Sequence, residues 1–343
     1  MVSPTHATLL TSVKPASQPW QRAGLVLLLA LIVVLLVLPF FLPRGQLFFW
    51  QRVLIFAMYA QSVALLVGFS GLISFGQAAY FGLGAYTIGL LLPLSPAAPL
   101  GLILAILVGA LVALVVGAII LRSTGLAFGM LTLAFGQALY QLTFVFKDIT
   151  GGENGIPGIL RGSFLGLNLG NPVIFWYFGL FWVALGVAFL ALVHASPFGL
   201  TLRLIRDDPK RASFLGIPVF RYRLGAYVIA GALGALAGSL YAYLSGIVTQ
   251  DLLYWTLSGD PLIMSLIGGL YAFWGPAAGA VIFIWVQDQL AKQTAAWILY
   301  QGLVFLVFVL FLPEGLASLP RRYRLWRARR LARREQRAAA EAT

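Results

Sequence analysis

An all-α integral membrane protein is predicted by three features of this 343-residue sequence: apolar runs long enough to cross a bilayer, almost no charge within them, and arginines gathered where they stop. Hydrophobic residues make up 61% of the chain and charged residues 10%, with a mean hydropathy of +0.93, too little polar surface to cover a soluble globule. The absence of cysteine excludes disulfide and thiolate chemistry, and two histidines, His6 and His194, are too few and too scattered for a metal cluster. The net charge of +13 includes nine arginines within residues 321–337, directly after an apolar span. No aromatic stacking platform accompanies them, so the expected partner is anionic membrane lipid at the cytoplasmic face and not nucleic acid.

Residues 1–23 are polar and read as a cytoplasmic segment, with Lys14 and Arg22 ahead of an uncharged run over residues 24–42. No small-x-small cleavage site follows Phe40-Phe41-Leu42-Pro43, so this run reads as a retained first helix leading outward. Residues 53–121 are 69 residues without a formal charge. That is roughly 100 Å of helix, about three crossings of a ~30 Å core, with breaks expected near residues 68–71 and 93–99. Residues 123–146 make one further crossing. Residues 150–162, TGGENGIPGILRG, form a turn-rich external loop, and residues 173–193 return the chain inside. The crossing over residues 224–244 carries Gly225, Gly231, Gly234 and Gly238, a small-residue face for close helix approach.

Residues 261–287 are uncharged over about 40 Å of helix, long for one crossing and short for two. A single crossing there would let the span over residues 293–312 export the arginine-rich tail. A broken or re-entrant helix pair with no net crossing is expected instead, interrupted at Gly268-Gly269 and Gly275-Pro276, as is tolerated where backbone lines a cavity or is buried in protein. The count is then about eight full crossings plus the pair, with both termini cytoplasmic: a transmembrane domain over residues 24–313 and a basic tail over residues 314–343. Phe75-Gly76-Gln77-Ala78 recurs as Phe135-Gly136-Gln137-Ala138, a short internal match in a biased composition.

Residues 197–223, PFGLTLRLIRDDPKRASFLGIPVFRYR, are the one long, densely charged stretch between two apolar regions, so they face water. Asp208 reads as the cap of a second short helix with Pro209 at its first position, running to Leu215 and ending at Gly216. A short amphipathic helix on an ordered cytoplasmic loop suits docking; ordinary juxtamembrane charge fits the same residues.

Enzymatic chemistry needs titratable or nucleophilic groups held together, and the apolar spans offer almost none. Asp260, Asp288 and Glu314 fall near span ends, Lys292 stands four residues after Asp288 for a helix-end pair, and no deep acid or histidine points to proton coupling. The polar residues within the spans are uncharged: Gln61, Ser62, Ser70, Ser74, Gln77, Tyr86, Thr87, Thr132 and Gln137. They line a weakly polar pathway or make interhelical hydrogen bonds; with Gly71 and Gly84, the group Ser74, Gln77, Tyr86, Thr87 and Gln137 is the pathway candidate.

Four ordered motifs then carry a resemblance: GFSGLISFGQAAYFGLGAYT at residues 68–87, TGGENGIPGI at 150–159, LRLIRDDPKRASFLGIPVFRYRLGAYVIAGALGALAGSLYA at 202–242, and IGGLYAFWGPAAGA at 267–280. The chain resembles the permease subunits of branched-chain amino-acid ABC importers, particularly the LivM type. The resemblance implies a bacterial or archaeal inner-membrane subunit working with a second related permease, two cytoplasmic P-loop ATPases and an extracytoplasmic substrate-binding protein. It implies an ATPase-coupling loop at Arg203, Arg206, Asp207, Asp208, Lys210, Arg211, Ala212 and Gly216. The general importer loop carries Glu-Ala-Ala before its glycine, whereas this chain has Arg211-Ala212-Ser213 and lacks the glutamate. No GxxxxGK[ST] phosphate-binding loop is present, so no cofactor is expected on this chain, and ATP and Mg²⁺ belong to the partner ATPases. The loops at 150–162 and 246–259, with Glu153 and Asn154 foremost, are the candidates for docking the binding protein. The rival readings are a stand-alone carrier or channel for a small neutral solute such as urea or an amide, and a membrane scaffold.

Overall fold

The computed structural model describes residue 30 and residues 32–91, 98–164, 166–311 and 315–318. The N-terminal segment 1–23 and almost all of the basic tail lie outside the described residues. The chain divides into two compact units, residues 1–47 and 48–343. In the first, the described residues form one apolar helix, α1 (Ile32–Phe41), and the opening of α2 (Arg44–Ala64).

The second unit is a helical bundle. After α2 come a π-helix (Leu65–Phe69), α3 (Gln77–Leu91), α4 (Ala98–Ile120), α5 (Leu126–Val145), α6 (Lys147–Thr150) and α7 (Pro172–Ala195). Then follow α8 (Pro197–Asp207), α9 (Pro209–Phe214), α10 (Val219–Ser245), α11 (Thr256–Gly268), α12 (Gly275–Gln293) and α13 (Trp297–Phe311). Among the described residues five helices are long and apolar enough to cross a membrane: Arg44–Phe69, α4, α5, α7 and α10. The Arg44–Phe69 helix has 83% of its most apolar stretch buried, against 28% for α4 and α5, so the latter two turn apolar side chains such as Leu107, Leu111 and Met130 to the outside of the chain.

The uncharged run over residues 53–121 holds α2, α3 and α4. Here α3 is only 15 residues long, because the chain leaves helical geometry after the π-helix and re-enters it at Gln77. Of the expected break at 93–99, residues 93–97 lie outside the described residues and α4 starts at Ala98.

Small residues decide how α3, α4 and α10 pack. A Cβ at Gly84 would overlap the Ala235 carbonyl, one at Gly238 the Phe81 carbonyl, and one at Gly231 would press on Ala113, so backbones meet where side chains would hold them apart. Gly225, expected on the same face, instead lies under the Phe198 ring, which stacks on Tyr222 at 5.4 Å.

Both halves of the 261–287 region are helical. α11 ends at Gly268, Gly269 takes φ +111°, and α12 opens at Gly275 with Pro276 in its first turn. The Gly268 backbone sits against the Gly275 carbonyl, so the turn closes tightly. α12 then runs to the opposite end of the bundle, where Gln287 accepts a hydrogen bond from Arg52 at 2.8 Å. At that end Gln51 also bonds the Phe175 carbonyl at the start of α7, at 3.0 Å. α11 is shorter, 13 residues, and its start lies beside the start of α3: Ser258 Oγ accepts from the Ala78 amide at 2.8 Å. Asp260, expected at a span end, therefore stands in the second turn of a helix that begins inside the bundle, half-buried. Lys292 and Asp288 pair at 2.6 Å.

Candidate functional site

The charged stretch folds as two helices hinged on one residue. Ser196 caps α8 and Pro197 opens it; Leu202 and Ile205 face the bundle. Asp208 ends α8 and caps α9, its side chain accepting the Arg211 amide at 3.0 Å. That hydrogen bond holds the Asp208 carboxyl below its usual value; desolvation opposes the shift and the Arg211 and Lys210 charges reinforce it. At the other end Gly216 takes φ +79°, its amide bonds the Ser213 carbonyl at 3.0 Å, and the Ile217 amide bonds the Ala212 carbonyl at 3.1 Å. This paired closure is a Schellman turn, which favours glycine at that position. The helix ends at Phe214, one residue before the end expected from sequence, because Leu215 already leaves helical geometry.

Within this hairpin the expected coupling residues divide in two. Lys210 and Arg211 are exposed, Asp207 is exposed, and Asp208 holds the hinge; Ala212 is buried beneath α9. The outward apolar tip of α9 is Phe214, 91% exposed, with Leu215 at 74%. Sequence reading passed over these two; the signal was a pair of large apolar residues set between Arg211 and Gly216 on a helix otherwise polar.

Arg203 and Arg206 point inward instead. Arg203 donates to the His194 carbonyl at 3.0 Å and lies 5.0 Å over the Phe69 ring. Arg206 donates through Nη1 to the Gly68 carbonyl at 2.6 Å and through Nε and Nη2 to Asp207 at 2.9 and 2.7 Å. Its guanidinium lies 4.9 Å from the centre of the Tyr271 ring.

The non-helical residues between the π-helix and α3 carry part of the expected pathway. Gly71 is exposed at φ +70°; Ser74 and Gln77 are fully buried and joined by a 3.2 Å hydrogen bond. The Phe75 amide bonds Thr132 Oγ1 of α5 at 3.1 Å, and the Gln77 carbonyl oxygen Oε1 is buried without a partner. Ser74, Gln77, Thr132 and Ser258 thus bring α3, α5 and α11 together around one polar focus, and Ser258 was not singled out from sequence. The two FGQA copies meet here, Gly136 lying against Gly76 with Gln137 half-buried beside it. Of the other candidates, Gly84 meets α10, Thr87 bonds the Leu83 carbonyl of its own helix at 2.7 Å, and Tyr86 is buried with no partner for its hydroxyl.

At the opposite end the two predicted docking loops are tied into one surface. β1 (Ile156–Pro157) pairs antiparallel with β4 (Ile247–Val248), and the Ile159 amide bonds the Gly246 carbonyl at 3.0 Å. β2 (Ser163–Phe164) and β3 (Leu167–Asn168) form a second small antiparallel pair. Arg161 caps α10, donating to the Tyr243 and Leu244 carbonyls at 2.9 and 3.2 Å while lying 4.1 Å over Phe175; burial pulls its pKa down. Glu153 and Asn154 stand exposed on a 3₁₀ turn, Gly152–Asn154. Among the described residues no group of three His, Cys, Asp or Glu side chains is placed to hold a metal ion.

This fold defines the class: a multi-pass α-helical membrane protein with a capped polar hairpin at one end. Residues 47–312 match the family described as branched-chain amino acid transport system / permease component, and the chain belongs to that family. It is 26% identical over 321 residues to the high-affinity branched-chain amino acid transport system permease protein LivM of Salmonella typhimurium, covering 86% of this chain and 75% of that protein. It is 27% identical over 226 residues to the probable branched-chain amino acid transport permease protein LivH of Methanocaldococcus jannaschii, covering 61% and 68%. Against the ribose import permease protein RbsC of Bacillus subtilis it is 37% identical over 191 residues, covering 51% and 57%. No solved structure gives a significant match.

Proposed function

We propose that this chain is one of two related permease subunits in the inner membrane that together form the translocation pathway of an ATP-driven importer for branched-chain or related small amino acids. In this reading the hairpin α8–α9 lies in the cytoplasm and presents α9 to an ATPase, while the loops joined by β1 and β4 face outward and receive a substrate-binding protein. ATP and Mg²⁺ are bound by two partner ATPases. One observation carries the reading: α9 is capped by Asp208 and closed at Gly216, yet turns Phe214 and Leu215 away from its own bundle, on a short helix that also carries Lys210 and Arg211. An apolar tip on a capped polar hairpin suits insertion into a groove of a soluble partner.

The polar focus at Ser74, Gln77, Thr132 and Ser258 suits a pathway that binds weakly, because capture is left to the binding protein. Substrate choice among branched-chain and other small amino acids then rests mainly outside this chain. Tagging the chain, extracting it in mild detergent and identifying its companions by mass spectrometry tests the proposal. Two P-loop ATPases and a related permease are expected. Recovery of the chain alone, in detergent that preserves a control importer, would replace the importer reading with a stand-alone carrier.

A further inference from the structure

We infer that Arg206 is the positioning residue that carries movement of α9 into the membrane, to the non-helical segment after α2. The inference rests on the reading of α9 as the ATPase contact. Three parts of the chain converge on this one side chain: its own helix through Asp207, the π-helix that follows α2 through the Gly68 carbonyl, and the α11–α12 turn through Tyr271.

The end of α2 is unusual in its hydrogen bonding. The π-helix leaves the ladder out of step, and the Leu66 carbonyl collects the Ser70 hydroxyl at 2.7 Å and the Leu72 amide at 3.0 Å. The Gly68 carbonyl, among the last of a helix and so without an i+4 amide inside it, is capped by Arg206 from 138 residues away. A charged donor at a helix C-terminus is favoured by the helix dipole as well. Glycine is required around this contact: a Cβ at Gly68 would overlap the Leu270 carbonyl, and Gly71, at φ +70°, lies against the Arg206 stem, 3.2 Å from where its Cβ would stand.

Geometry favours transmission over a simple staple. Asp208 closes α8 and opens α9, so a displacement of α9 as a whole reaches residues 206–207 through a single shared residue. A planar guanidinium held by Asp207 on one edge and bonded to Gly68 on the other behaves as a short rigid strut, which a lysine ammonium on a flexible stem does not reproduce. Beyond Gly68, Phe69 lies under Arg203 and Ser70 folds back on the Leu66 carbonyl; residues 71–76 then have no helical ladder to resist displacement before Gln77, which with Ser74 forms the polar focus.

The chain has no cysteine of its own, so when it is labelled before assembly with its partners a spin label attaches only where cysteine is introduced. One label pair joins Ile73→Cys to Leu185→Cys on α7, and another joins Lys210→Cys on α9 to the same reference; all three positions are exposed. Distances are read by pulsed electron resonance in the assembled complex, without nucleotide and with ATP plus orthovanadate. With Arg206 in place both distances are expected to shift. With Arg206→Ala the 210–185 distance still shifts and the 73–185 shift is lost, and Arg206→Lys gives the same loss. A full 73–185 shift in Arg206→Ala overturns the inference while leaving the ATPase contact standing. A 210–185 distance that never responds, even with Arg206 present, overturns the contact reading and the inference with it. If Arg206→Ala fails to assemble, Tyr271→Leu, which removes the ring beneath the guanidinium and leaves both caps of the hairpin, is expected to reduce the 73–185 shift; an undiminished shift there also overturns it.

Discussion

Truncating the tip of α9 separates docking from folding. Phe214 is 91% exposed and Leu215 74% exposed, so Phe214→Ala and Leu215→Ala remove side chains that contribute almost nothing to the fold; surface changes of this kind stay within about 0.5 kcal/mol. If the ring enters a groove on an ATPase subunit, nearly its whole surface goes from water into contact, and burial of a phenylalanine side chain is worth about 1.5–3 kcal/mol. Phe214→Ala should then weaken ATPase binding roughly 10- to 100-fold, since about 1.4 kcal/mol corresponds to a factor of ten. The assay titrates labelled ATPase subunits against the purified permease in detergent and follows the thermal midpoint of the permease in parallel. Phe181→Ala, at 62% exposure on the long apolar helix α7, is the control for loss of an exposed ring. Binding within twofold of the unsubstituted protein in the Phe214→Ala, Leu215→Ala double variant would refute the assignment of α9 as the contact.

Three further outcomes follow from the same geometry. Gly216→Val forces a β-branched residue into a left-handed backbone at φ +79°, costing about 1–2 kcal/mol locally; limited proteolysis should cut the loop after α9 faster, and an unchanged rate would show that the turn does not need glycine. Gly84→Val drives side-chain atoms into the Ala235 carbonyl and should destabilise the α3–α10 pairing by about 1–3 kcal/mol, read as a lower thermal midpoint in detergent; an unaltered midpoint contradicts the close approach. Arg161→Gln removes charged donors from the Tyr243 and Leu244 carbonyls, a loss on the order of 1 kcal/mol at this partly exposed site. Faster amide exchange at Ile159 and weaker docking of the binding protein are expected together, and unchanged exchange would place the anchor of this loop elsewhere.

Features of the hairpin that depend on neighbours in sequence are legible there. Asp208-Pro209 and Gly216 announce a short capped helix because an aspartate cap, a proline in the first turn and a left-handed glycine each act within a few residues. Gly268-Gly269 and Gly275-Pro276 announce the α11–α12 turn for the same reason. By contrast, Ala212 was expected among the contact residues and is buried, because which face of a six-residue helix looks outward depends on what lies beneath it. Phe214 and Leu215, exposed on α9 and at its end, run against the habit of reading large apolar residues as core.

Composition and the spacing of charge by themselves determined that this protein is a helical membrane protein, and they located its polar hairpin, since transfer of a charged or apolar group between water and lipid depends on the residue more than on its partners. Its capping residues and glycines determined the ends of α9 and the breaks at 268–269 and 275–276. Only the tertiary structure decided that α3 and α11 begin side by side, joined by Ala78 and Ser258, that residues 150–162 and 246–259 share one surface, and that Arg206 caps the carbonyl of Gly68. Those contacts bridge up to 180 residues of chain, and a hydrogen bond at that separation depends on how the intervening helices pack, which no local sequence pattern records.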